Sequence, residues 1–250
     1  FCLCASVAQA EVTLAPVFGD YMVLQRGAVA PVWGTAAPGE KVTVEFAGQT
    51  KRTVAGPDGK WRVRLDAIND LNVSPLFKVT GENVIRLREV LVGEVWFASG
   101  QSNMAWPVSK CRDFEKEKAA AKFRHILMFT TARKAALEPQ SGVDGKWTEC
   151  TPETVGGFSG TAYFFARALH EKLKVPVGIV HSSWGGTAIE AWTSWEVQKN
   201  DKRLQMVHQP WKDKAAADRN KPANLFNGMV NPHIPYAIRG AIWYQGERNS

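Results

Sequence analysis

Cysteine is scarce: the 250 residues contain four, and two of them fall within the first ten. No Cys/His cluster has zinc-ligand spacing and no His-Glu-x-x-His occurs, which argues against a metal site. No apolar run reaches the roughly 18–20 residues that a membrane-crossing helix needs. An internal repeat of solenoid length is missing, as is any nucleic-acid-binding motif. The Gly-x-Ser-x-Gly elbow of α/β-hydrolases is absent too, which weakens a lipase reading. Acidic residues are outnumbered, 24 against 31 Lys and Arg, giving a net charge of +7. The basic residues are scattered, so a solvated basic surface explains them better than a nucleic-acid partner or membrane insertion.

What is present is ordinary in bulk. Hydrophobic content of 45% and charged content of 22% suit a globular chain with a sizeable core, as one large domain or two smaller ones. Residues 1–10 are apolar and small, and Ala8-Gln-Ala10 fits the small-x-small cleavage rule. They read as the remnant of a secretory signal, with a mature chain starting near Glu11 in a secreted or periplasmic setting. That leaves Cys111 and Cys150, which either pair in an oxidising compartment or stay as separate buried thiols. Spacing does not decide between them.

From 11 to 92 the pattern is strand and turn. Lys41–Phe46, Lys51–Val54 and Trp61–Leu65 alternate or carry β-branched residues, and Ala37-Pro-Gly-Glu40 and Gly56-Pro-Asp-Gly59 separate them. Short strands with Gly/Pro turns predict an antiparallel sandwich or barrel. The region 93–250 changes character. Asp113–Phe123 is charged and Ala-rich and reads as a surface helix. His125–Phe129 reads as a strand, Thr161–Leu173 as an amphipathic helix, and residues 200–220 as a polar helix with a mobile loop. Helix and strand in alternation predict an α/β fold with a doubly wound parallel sheet.

Three segments share one design. Val95–Ala98, Val177–Ser183 and Ile238–Tyr244 are apolar runs that each end in a glycine-containing polar loop. If the strands are parallel, their loops meet at one sheet edge, where open α/β sheets bind ligands. The loops would supply the Ser102 hydroxyl, the Gly185 and Gly186 amides and several carboxamides. Those are the components of acyl transfer through a tetrahedral oxyanion. Each loop alone is also consistent with plain turn formation.

Gly100-Gln-Ser-Asn-Met104, Trp184-Gly-Gly-Thr187 and Trp243-Tyr-Gln-Gly-Glu-Arg-Asn249 resemble the blocks of the sialate O-acetylesterase family, within the SGNH hydrolases. Met22-Val-Leu-Gln-Arg26 and Val32-Trp-Gly-Thr-Ala36 resemble that family's N-terminal β domain. The resemblance implies an SGNH-like sheet, incomplete at its C-terminal end, behind a β domain. It implies Ser102 as nucleophile and an oxyanion hole from Ser102, Gly185 or Gly186, and Gln245. Gln101, Asn103, Trp184, Glu247 and Asn249 become candidates for substrate contact. For Glu247, however, the expectation is a buried structural carboxylate. Trp106, Trp184 and Trp192 are candidate sugar-facing walls or core. No cofactor is implied, and the partner is an acetylated sugar or glycan.

One departure stands out. The family's base sits in an Asp-x-x-His block, and no such block occurs in these residues. A fragment lacking its base is the simplest expectation, with His208 and His233, both in loops, as the internal substitutes. A non-catalytic carbohydrate-binding protein is the alternative.

Overall fold

The computed structural model describes residues 11–211 and 218–249, so the expected signal remnant at 1–10 lies outside the described residues. Eight strands fill the N-terminal third: β1 (Thr13–Leu14), β2 (Val23–Gln25), β3 (Ala30–Thr35), β4 (Lys41–Phe46), β5 (Gln49–Val54), β6 (Lys60–Leu65), β7 (Phe77–Thr80) and β8 (Val84–Leu87). Their buried–exposed alternation in β4 and β6 is the period-2 signature that the sequence carries. β1-β3-β6 and β5-β4-β7-β8 form two antiparallel sheets, joined by one apolar core.

The ten-residue β9 (Leu91–Gly100) then runs through the point where the composition changes. Its first three residues pair in parallel with β2, and Trp96–Gly100 pair in parallel with β13 (Gly240–Tyr244). On its other side lies β12 (Val177–Ser183), followed by β10 (Phe123–Thr131) and the antiparallel β11 (Gly145–Cys150). The helices are α1 (Ser102–Ala105), α2 (Phe114–Ala120), α3 (Gly160–Leu173), α4 (Trp195–Gln198) and α5 (Gln205–His208). The chain is therefore mixed α/β.

The parallel-containing sheet is covered on both faces, by different kinds of element. One face packs on α3 through Ala162, Tyr163 and Ala166 against Ile126, Met128 and Ile179. The other meets the N-terminal β strands: Leu127, Phe129 and Val180 share one core with Val23, Val32 and Val63. Trp147 Nε1 donates to the Val17 carbonyl at 2.8 Å, and the Tyr236 hydroxyl to that of Val23 at 2.8 Å. Toward the strand ends the same face is covered by short helical turns at Phe226–Val230 and Asn231–His233, where Ser182 Oγ donates to Met229 O at 2.8 Å and His233 packs on Phe97 and Phe129.

Glu94 pins the same junction. It is buried in β9 and accepts from Arg26 and Arg239, which approach from β2 and from the start of β13. Burial alone would raise its carboxyl, but the hydrogen bonds from Arg239, Arg26 and Gln25 outweigh it and hold it at about 2. α3 starts at Ser159, whose hydroxyl accepts from Ala162 N at 3.2 Å. The expected helix at 200–220 is instead a broken run: a 3-10 turn, the single turn α5 and another 3-10 turn, with 212–217 outside the described residues. Cys111 and Cys150 are separate thiols. Burial pushes the Cys150 thiol up to about 12, as an inert core residue.

Candidate active site

The three loops singled out by the sequence do end level. Ser183 and Tyr244 both stand opposite Gly100 in the parallel register of β12, β9 and β13. Gly100 is the hub, at φ +135, and a Cβ there would lie 2.0 Å from the Tyr244 carbonyl oxygen, so only glycine fits. Gln101 N donates to that carbonyl at 2.9 Å, and Trp184 N donates to Gly100 O at 3.2 Å. The backbones of all three loops are thus cross-linked at one point.

β9 turns there into α1, and Ser102 occupies its first position, exposed to solvent. Two hydroxyls from the start of α3 hold α1 in place. Ser159 Oγ donates to Met104 O at 2.6 Å, and Thr161 Oγ1 to Asn103 O at 3.1 Å. Among the described residues the Ser102 hydroxyl has no hydrogen-bond partner, and the amides of Ser102, Gly185 and Gly186 make no backbone hydrogen bond. Gly185 lies against the serine: a Cβ on it would be 3.5 Å from the Ser102 Cα and Cβ. An exposed hydroxyl among uncommitted N–H groups is what a tetrahedral oxyanion needs around it.

The third loop grips the other two. Glu247 accepts from Gln101 Nε2 with one oxygen and from Asn103 Nδ2 with the other, bracketing Ser102. Contrary to expectation this carboxylate is exposed, because β13 is the edge strand of the sheet and Trp243 and Tyr244 beside it are 44% and 47% exposed. Gln245 Nε2 donates to Thr187 O at 3.2 Å and to Asn249 Oδ1 at 2.8 Å. Both of its hydrogens are therefore committed, and service in an oxyanion hole would require it to give one up. Asn249 in turn accepts from Ile189 N at 2.9 Å and donates to Glu190 at 2.9 Å.

Of the three tryptophans, Trp192 is core, with its Nε1 donating to Thr187 Oγ1 at 2.8 Å. Trp106 is exposed, with the Lys110 ammonium 5.4 Å from its ring centroid. Trp184 is half-buried between two guanidiniums, Arg133 at 5.9 Å and Arg219 at 5.7 Å from its ring centroid. Neither arginine has a carboxylate partner among the described residues. Arg219 Nη2 would be 3.6 Å from a Cβ on Gly186, so this charge borders the Ser102 loop. Sequence reasoning missed both arginines, since neither belongs to a motif and 86 positions separate them (219 − 133).

No histidine is hydrogen-bonded to Ser102. His233 is buried between Phe97 and Phe129, on the face shared with the β region, and meets Thr131 Oγ1 at 3.0 Å. His208 meets Gln198 Oε1 at 3.2 Å and the Trp195 ring. His170 Nδ1 donates to Val175 O at 2.7 Å, and His125 packs on it. His181 Nε2 lies 2.6 Å from Ser183 Oγ inside β12. Burial, then the Arg133 charge, lower this imidazole to about 4. Burial alone does the same to His233, also to about 4. Among the described residues no group of three or more His, Cys, Asp or Glu could hold a metal ion.

Residues 92–250, which include all three loops, match the family model described as carbohydrate esterase, sialic acid-specific acetylesterase. The chain belongs to this esterase family. Sialate O-acetylesterases of Pongo abelii and Homo sapiens are 32% and 31% identical over 91% of the chain, which covers 47% of each of them. A solved carbohydrate acetylesterase from Xanthomonas citri superposes with a TM-score of 0.85 at 35% identity, over 95% of this chain and 52% of that one. The chain spans about half the length of the curated relatives it matches.

Proposed function

We propose that the chain carries the nucleophile half of an exported carbohydrate O-acetylesterase, with Ser102 as the nucleophile. The carrying observation is the exposed Ser102 hydroxyl, set among the uncommitted amides of Ser102, Gly185 and Gly186 at the level ends of three parallel strands. In this reaction Ser102 Oγ attacks the acetyl carbonyl as its proton passes to a base. The amides hold the oxyanion, the sugar hydroxyl leaves with a proton, and acetyl-Ser102 remains. Water then attacks the acetyl-enzyme, releasing acetate and restoring the serine. Glu247 keeps Gln101 and Asn103 fixed on either side of the nucleophile.

The base is an imidazole outside these 250 residues. All five histidines have other partners, and relatives of twice the length match only over their aligned half. The acetylated sugar is anionic, because Arg133 and Arg219, with no carboxylate partner among the described residues, present positive charge around Trp184 beside the serine. That favours a sialate-type substrate over a neutral acetylated xylan. Small-x-small Ala8-Gln-Ala10 supports export.

The test is acetate release from an O-acetylated sialic acid by the product of the complete reading frame, beside its Ser102→Ala variant. Turnover that vanishes in the variant is expected. Turnover that survives it removes Ser102 as the nucleophile, and none from the complete product overturns the esterase reading in favour of a sugar-binding protein without catalysis.

A further inference from the structure

A cavity of about 840 Å³, well within the range of small-molecule sites, is connected to the serine-site loops through one turn of chain. The turn Ile189–Trp192 links the two through hydrogen bonds. On one side the Glu190 carboxylate takes the Asn249 amide of the third loop, at 2.9 Å. On the other, the Glu190 carbonyl accepts from Ala223 N at 2.9 Å and from Gln198 Nε2 at 2.8 Å, both on segments that build the cavity. The cavity is therefore fixed rigidly relative to the acetyl-transfer loops, without being part of them.

Its lining is of two kinds. Trp195, His208 and Phe226 supply rings, and Trp195 is 47% exposed with the His208 ring 5.0 Å away. Glu138, Asn227 and Lys221 supply polar groups. Asn227 is buried, and its Nδ2 donates to the carbonyls of Ala136 at 3.2 Å and Leu137 at 2.7 Å, which anchors the segment bearing Glu138. Glu196 at the rim is paired with Lys199 at 2.5 Å. Acidic and basic groups thus roughly balance here, unlike the arginine-flanked Trp184. An aromatic platform suits the C–H face of a pyranose, and carboxylate and carboxamide groups suit its hydroxyl rim.

We propose that this cavity is a binding subsite for a neutral pyranose unit of the glycan whose anionic, acetylated residue is presented to Ser102. The glycan assignment rests on the esterase reading; the sugar site itself does not. Saturation-transfer NMR and titration with lactose and with xylobiose test it, using the product of the complete reading frame with Ser102→Ala as background. Binding of at least one disaccharide at millimolar concentration is expected. Trp195→Ala should weaken it about tenfold or more, and Trp195→Phe should retain most of it, since the ring is what matters. No binding of either sugar, or binding indifferent to Trp195→Ala, overturns the proposal. Acetate release by the Ser102 enzyme is a separate readout, so failure of the esterase reading leaves the binding result intact and distinguishable.

Discussion

Ser183 ends β12 and Ser102 follows the neighbouring parallel strand β9, the register placing Ser183 opposite Gly100, two residues before Ser102. Ser183 has an imidazole nitrogen 2.6 Å from its hydroxyl but is 6% exposed, sealed inside the sheet. Ser102 is open to solvent and beside uncommitted amides, yet no imidazole is hydrogen-bonded to it. A Ser–His distance alone would select the buried Ser183 over the exposed Ser102. Nucleophilic catalysis needs access and oxyanion donors as well as a base, and a nearby imidazole alone supplies only the last of these. The buried pair is better understood as a polar couple paired within a strand that is buried throughout.

The comparison can be broken most sharply by removing each hydroxyl. In the product of the complete reading frame, Ser102→Ala should lower kcat by about 10⁴-fold or more, while Ser183→Ala leaves turnover within roughly an order of magnitude. The reverse ranking in acetate-release assays would transfer the reaction to Ser183. Next in size is Glu247→Gln, which removes the charged acceptor bracketing Ser102. A fall in kcat of about tenfold to a hundredfold with little change in KM is expected from loss of positioning. A change confined to KM would make Glu247 a substrate contact instead. Arg219→Ala should raise KM about tenfold for an anionic acetyl sugar and leave a neutral acetyl ester unaffected. Equal effects on both would remove the electrostatic argument.

The smallest effect concerns pH and the buried imidazoles. His181 and His233 both lie at about 4, below the ordinary value near 6.5. The unfolded chain therefore takes up protons that the folded chain refuses. Their contribution to stability is complete above pH 6.5 and is lost progressively as the pH falls from there to 4. Thermal melts across that interval should show Tm falling with acidity, and His181→Asn should flatten the slope. An unchanged slope would mean that His181 is protonated in the folded protein.

Much of this site is visible in the sequence because it is local. Each of the three loops follows an apolar strand, and glycine marks the tight approach in each, so their convergence follows from parallel pairing alone. The buried face of α3 is equally visible in its apolar spacing. What periodicity cannot report is the identity of a partner. It marks Phe129 and Val180 as buried but not that they face the β region rather than a helix. It gives no sign that Arg133 and Arg219 flank one indole, because that arrangement depends on tertiary folding of segments with no motif. Glu247 holds two neighbouring amides as a structural carboxylate does, but it is exposed rather than buried, since position at a sheet edge is a property of strand order.

The most direct test is the site of covalent attack. The product of the complete reading frame would be treated with a fluorophosphonate that reacts with activated serines, digested, and mapped by mass spectrometry. A single adduct on the peptide bearing Ser102, lost in Ser102→Ala, is the predicted result. An adduct on Ser183, or an active enzyme with no adduct at Ser102, would contradict the assignment.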